Sequence, residues 1–191
     1  MSQRQDDRSA LLLMDLQADI VDNYAPPGFL TLIQEAIDAA RRAKLPLIWV
    51  VVSFRAGYPE VSSRNQSFSA LRGTARLIEG DPQTQIHPAL KREPGEVLVT
   101  KRRVGAFSGS DLDVVLRSAG IDSLVLAGIS TSGVVLSTVR LAADLDYRLT
   151  VLKDGCCDPD PEVHRVLTEK VFPRQAAVLT IGEWIASRAV S

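Results

Sequence analysis

Ala10-Leu11-Leu12-Leu13-Met14-Asp15 is the stretch on which the reading of this chain turns. A short, unbroken apolar run reads as a strand covered on both faces, and such strands belong to parallel sheets. This one delivers a carboxylate at its carboxyl end. Outward from it, helix-like and strand-like stretches alternate. Over Phe29–Lys44, Leu32, Ile33, Ala36, Ile37 and Ala40 fall at helical spacing. Leu47–Phe54 (LIWVVVSF) is rich in β-branched residues and reads as the second strand. Val97–Thr100 is a third and ends at Lys101. Ser110 reads as a helix cap, with Asp113 three residues on and Gly120 as the stop. Ser123–Ala127 is a fourth strand, Thr131–Asp144 a helix and Tyr147–Leu152 a fifth strand. Asp160-Pro161-Glu162 has the cap, proline and acid of a helix start. Ala176–Thr180 is a sixth strand, and Ile181–Arg188 a closing helix. Strands alternating with helices imply parallel pairing through right-handed crossovers. Residues 55–96, with glycines and prolines throughout, are expected to form a long irregular insertion of the kind that is often functional.

The 191 residues suffice for one compact domain, taken as 1–191 with residues 1–9 flexible. Hydrophobic residues make up 46% and charged residues 24%, which excludes a disordered chain. Lys and Arg (22) balance Asp and Glu (23), so the basic excess of a nucleic-acid binder is missing. No apolar run is long enough to span a membrane, and MSQRQDDRSA lacks the apolar core of a signal peptide. A cytoplasmic location is therefore expected. Cys156 and Cys157 are adjacent, which gives no disulfide framework. With His87 and His164 as the only histidines, neither a metal site nor a cofactor is expected.

Ligands of open parallel sheets bind at the carboxyl ends of the strands, where strand order reverses. Those ends carry Asp15-Leu16-Gln17, then Ser53-Phe54-Arg55, then Lys101-Arg102-Arg103, then Gly128-Ile129-Ser130-Thr131-Ser132-Gly133-Val134, then Asp154 and Cys156. A buried Asp beside a Lys is a usable acid–base pair; the plainer alternative is a turn-capping Asp and a solvated Lys. The Gly128–Gly133 turn has neither glycine-rich phosphate-loop pattern. Arg55 could clamp a substrate carboxylate or merely order its loop. Arg102 and Arg103 read as solvated or structural, Phe107 as lining either pocket or core, and His164 as a surface or packing residue. Cys156 reads as a small buried hydrophobe rather than a nucleophile.

Asp15-Leu16-Gln17, Lys101-Arg102-Arg103-Val104-Gly105-Ala106-Phe107 and Gly128-Ile129-Ser130-Thr131-Ser132-Gly133-Val134-Val135, in this order at three strand ends, resemble the isochorismatase-like hydrolases, also called cysteine hydrolases. The likeness runs over roughly residues 10–185. It implies a single α/β domain: a six-stranded parallel sheet with helices on both faces, in the three-layer, Rossmann-type manner. It also implies an Asp–Lys–Cys triad, with Asp15 as acid/base and Lys101 as the charge-stabilising lysine. The nucleophile position falls on Val134, which cannot attack. No Asp-x-His metal motif stands near Ser53–Arg55. True isochorismatases also lack the cysteine and hydrolyse a vinyl ether through the Asp, so the resemblance leaves a route through Asp15 and Lys101. Hydrolysis of a C–N or vinyl-ether bond in a small polar metabolite is expected, with Gln17, Arg55, Phe107, Ser130, Thr131 and Gly133 as substrate-binding positions. The alternative is a silent member that binds a small molecule or partner in the same pocket. A homo-oligomer, dimer or tetramer, and a cis peptide at Ile129–Ser130 are expected as well. Lys101 is expected to depress the Asp15 pKa.

Overall fold

In a computed structural model, residues 8–189 are described, and Ala10–Met14 lies at the centre of the sheet. The strands are β1 (Ser9–Met14), β2 (Leu47–Val52), β3 (Val97–Lys101), β4 (Ser123–Ile129), β5 (Arg148–Cys157) and β6 (Ala177–Leu179). They form one sheet in the order β3-β2-β1-β4-β5-β6, all parallel. β1 is flanked on both edges and covered on both faces, so all six of its residues are buried. That is why its sequence is continuous in apolar character instead of alternating.

Helices α1 (Ala18–Tyr24) and α2 (Phe29–Arg42) follow β1. Phe29, Ile33 and Ile37 of α2 pack with Leu11, Leu13 and Trp49 on one face of the sheet. Trp184 of α7 (Ile181–Ala189) joins that layer; the short α3 (Gln66–Ser69) lies in the segment after β2. On the other face, Leu112 and Leu116 of α4 (Leu112–Ser118) and Val139 of α5 (Leu136–Asp144) cover Leu12, Met14 and Val50. The three layers follow from these two cores. Among the described residues no helix is long and apolar enough to cross a membrane.

Some boundaries differ from the sequence reading. Helix α1 has no counterpart there, because its seven residues offer too short an apolar stripe to register. β5 runs on to Cys157, with a register irregularity opposite Leu126–Gly128 that lets it continue beyond Leu152. The stretch Thr131–Asp144 opens as a wide π-turn over Thr131–Val135 before α5 begins. Ser110 stands one residue before the N-cap position, Asp111, and its Oγ accepts the N–H of Leu112, the first residue of α4, at 3.3 Å. Asp160 does cap α6 (Pro161–Val166), accepting from the Glu162 and Val163 N–H groups. Residues 55–96 contain α3 and a 3-10 turn at Pro82–Thr84, and fold onto their own small core of Phe54, Tyr58, Val61 and Leu77. The expectation of a flexible 1–9 segment fails at Ser9, which is buried in β1; residues 1–7 lie outside the described residues.

Candidate active site

The order of the sheet reverses between β1 and β4, since β2 and β3 extend it to one side and β5 and β6 to the other. Connections leave opposite faces there, and a crevice opens outside the strand ends. Met14 pairs with Gly128 at this point. A Cβ at Gly128 would lie 2.2 Å from the Met14 carbonyl oxygen, so only glycine lets the two strands approach here. Gly128 thereby sets where Asp15, the next residue, emerges. Asp15 itself takes a left-handed backbone at φ 57°, which a short polar residue tolerates better than a branched one. Its N–H is held by the Val50 carbonyl at 2.8 Å.

Lys101, the last residue of β3, reaches across β2. Its Nζ lies 2.9 Å from Asp15 Oδ2 and donates to the Arg103 carbonyl at 3.0 Å. The two side chains are 1% and 8% exposed, so this is a buried ion pair. Asp15 Oδ1 is buried too and has no hydrogen-bond partner. Burial raises the Asp15 pKa above its ordinary value, outweighing the charge and hydrogen bond of Lys101, which lower it. The expected depression is thus corrected: in a site this dry, the cost of removing the carboxylate from water exceeds what one cation returns.

Asp15 and Lys101 face a cavity of about 500 Å³. Ser130, Gly133 and Val134 line its β4 side, and the Ile129–Ser130 peptide is cis, as expected. Gly133 leaves room for Ser130, whose Oγ would stand 2.7 Å from any added Cβ. Ser67, Phe68, Leu71 and Leu77 form the roof, so part of the irregular 55–96 segment covers the pocket.

Four of the expected substrate positions lie elsewhere. Gln17 is fully buried, its Nε2 donating to Val52 O at 2.9 Å and Thr84 O at 2.6 Å while its Oε1 accepts from Val52 N at 2.8 Å. It ties β1, β2 and the insertion together and has no polar atom left for a ligand. Arg55 points to solvent and pairs with Glu60 at 2.5 Å, ordering its own loop. Phe107 packs against Tyr147 and the α4–α5 core. Thr131 is fully buried and shares a hydrogen bond with His164 Nδ1 at 2.8 Å, which gives His164 a bracing role. Arg102 is structural, bonded to Ser53 and Glu79.

Cys156 lies on β5 opposite Gly128, inside the core, with Sγ toward Leu126 O. Burial pushes its thiol pKa up to about 12, so it stays a thiol at neutral pH. Missing from the sequence reading are Asp19, Tyr24 and Arg76, which line the outer cavity. Asp19 sits on the unexpected α1, and Arg76 bonds to it across 57 positions of chain. No local pattern signals a pair that distant.

Asp15, Lys101 and the Gly128–Val134 turn thus meet at one edge of the sheet, as their places after three parallel strands led one to expect. The isochorismatase domain model matches residues 9–183. The chain belongs to the isochorismatase family. It is 33% identical over 183 residues to the isochorismatase family protein YecD of Escherichia coli O157:H7, covering 92% of this chain and 93% of YecD. It is 30% identical over 178 residues to YwoC of Bacillus subtilis (strain 168), covering 93% of each. The solved structure of an isochorismatase family protein from Burkholderia thailandensis superimposes with a TM-score of 0.81 at 31% identity, over 95% of both chains. The six-stranded parallel sheet is thus the family's fold.

Proposed function

We propose that this isochorismatase-family protein hydrolyses a C–N or vinyl-ether bond in a small metabolite through Asp15 and Lys101, with no covalent enzyme intermediate. The observation that carries this reading is the buried pair, 2.9 Å between Asp15 Oδ2 and Lys101 Nζ, with Asp15 Oδ1 unpartnered at the floor of the cavity. Val134, at the position the resemblance gives to the nucleophile, removes the thiol route, and the buried Cys156 thiol does not replace it.

For a C–N bond, ionised Asp15 takes a proton from water as the water oxygen bonds to the substrate carbon. It then returns that proton to the leaving nitrogen as the C–N bond breaks. For a vinyl ether the order reverses. Protonated Asp15 gives its proton to the terminal carbon, water adds to the oxocarbenium carbon, and the hemiketal breaks to ketone and alcohol while Asp15 regains a proton. One water is consumed in either case. Lys101 holds the carboxylate in place and opposes negative charge that builds up. Burial raises the Asp15 pKa above its ordinary value, which favours the protonated form that can give a proton to the substrate.

A second reading is favoured by Val134 alone: a member that binds in this cavity without turnover. A metabolite hydrolysis screen read by mass spectrometry separates the two. Hydrolysis should vanish in Asp15→Asn and fall by at least about 100-fold in Lys101→Ala, the lower range for one acid–base or charge-stabilising group. Cys156→Ser should leave it nearly intact. Loss of turnover in Cys156→Ser with activity spared in Asp15→Asn would move the nucleophile one strand over. Binding without turnover across the screen selects the silent reading.

A further inference from the structure

The described cavity lining holds four charged side chains, and they form two closed pairs. Lys101 and Asp15 pair at the floor, 2.9 Å apart. Towards solvent, Arg76 Nη2 and Nε both donate to Asp19 Oδ2, at 2.7 and 3.2 Å. The Arg76 side chain is 46% exposed and that of Asp19 18%. The backbone fixes this outer pair: Tyr58 Oη donates to the Arg76 carbonyl at 2.7 Å, and both neighbours, Ala75 and Leu77, take positive φ. Most of the remaining wall is apolar, including Ile20, Val52, Phe68, Leu71 and Val134. One deep polar atom lacks a partner, Asp15 Oδ1.

We infer that the cavity selects an uncharged ligand with an apolar body and one hydrogen-bond donor for Asp15 Oδ1, and that Asp19 is the residue that enforces this choice. This rests on the proposed function only in placing the ligand against Asp15. Arg76 has the planar donor fork that clamps carboxylates. Asp19 occupies that fork. An anionic ligand reaches the Nε–Nη2 edge of Arg76 only by displacing Asp19, and on its other side it meets a guanidinium whose charge Asp19 already balances. A neutral ligand disturbs neither pair and gains from the apolar wall. The sequence reading of a small polar metabolite narrows accordingly, to a molecule that is polar at one end and carries no net charge.

Benzamide and benzoate, equal in size and differing in charge at pH 8, test this by isothermal titration on the full chain. Wild type should bind benzamide at least about tenfold more tightly than benzoate, the size of one charge-assisted hydrogen bond made or broken. Asp19→Asn should raise benzoate affinity by about tenfold and leave benzamide within about twofold. Adding Arg76→Gln to it should abolish the gain. Asp19→Ser repeats the measurement if Asp19→Asn melts below wild type. Preference of wild type for benzoate, binding of neither probe, or an unchanged ratio in a folded Asp19 variant overturns the inference. Binding is read here without turnover. Failure of the hydrolytic reading would leave the benzamide preference standing, and an anion preference would sink this inference whether or not hydrolysis is found.

Discussion

Replacing Lys101 with Met removes the ammonium and keeps an unbranched chain. In the native protein Nζ contacts Asp15 Oδ2 at 2.9 Å and the Arg103 carbonyl at 3.0 Å. The variant leaves a buried carboxylate with no cation and a carbonyl with no donor. Removing one partner of a buried pair costs about 3–5 kcal/mol, and a lost hydrogen bond adds about 1 kcal/mol. A deficit of about 4–6 kcal/mol at pH 8 is expected, a large fraction of the roughly 5–15 kcal/mol that holds a typical domain folded. The deficit should depend on pH. Burial already raises the Asp15 pKa, and the two contributions that oppose it both come from Lys101. Without them it rises further. An acid whose native pKa lies above its unfolded value favours the folded state fully below the unfolded value, and loses that contribution as pH climbs through the native one. The variant should therefore be least impaired in acid and most impaired in alkali, with a slope of at most about 1.4 kcal/mol per pH unit for the single proton. Urea unfolding of wild type and variant at four pH values between 5 and 8 measures this directly. A deficit that is constant with pH, or largest in acid, refutes the reasoning: Asp15 would then not be the buried group that Lys101 compensates.

Gly128→Ala should cost about 2–4 kcal/mol in urea unfolding, from overpacking and backbone strain, because the new Cβ meets the Met14 carbonyl at 2.2 Å; a loss below about 1 kcal/mol means that β1 and β4 separate freely. Gln17→Leu leaves Val52 N–H and the Val52 and Thr84 carbonyls unsatisfied and should destabilise by about 2–4 kcal/mol, whereas binding of benzamide by the folded fraction should stay near wild type. Cys156 should resist iodoacetamide at pH 8 in the native protein and react only after unfolding, since its thiol pKa is pushed up to about 12; rapid native alkylation, mapped by mass spectrometry, would contradict that environment.

The sheet and the floor of the site were legible in the order of residues. Ala10–Met14 is apolar at every position because β1 is buried on both faces, and that one fact implies parallel neighbours. Asp15, Lys101 and the Gly128–Val134 turn follow strand ends, and in a parallel sheet all strand ends share one edge, so their meeting could be read before any coordinate. The rest arises from packing between distant parts of the chain. Gln17, Thr131 and Phe107 also follow strand ends, yet their side chains turn inward to bonds and packing that no local spacing encodes. The balance between desolvation and Lys101 at Asp15 depends on how completely water is excluded, which is a property of the packed whole. Asp19 and Arg76 lie 57 residues apart, one on a short helix with a weak apolar stripe and one in an aperiodic insertion. Periodicity reports which face of an element is buried; it carries no information about which two distant, polar, half-exposed side chains will meet across a cavity.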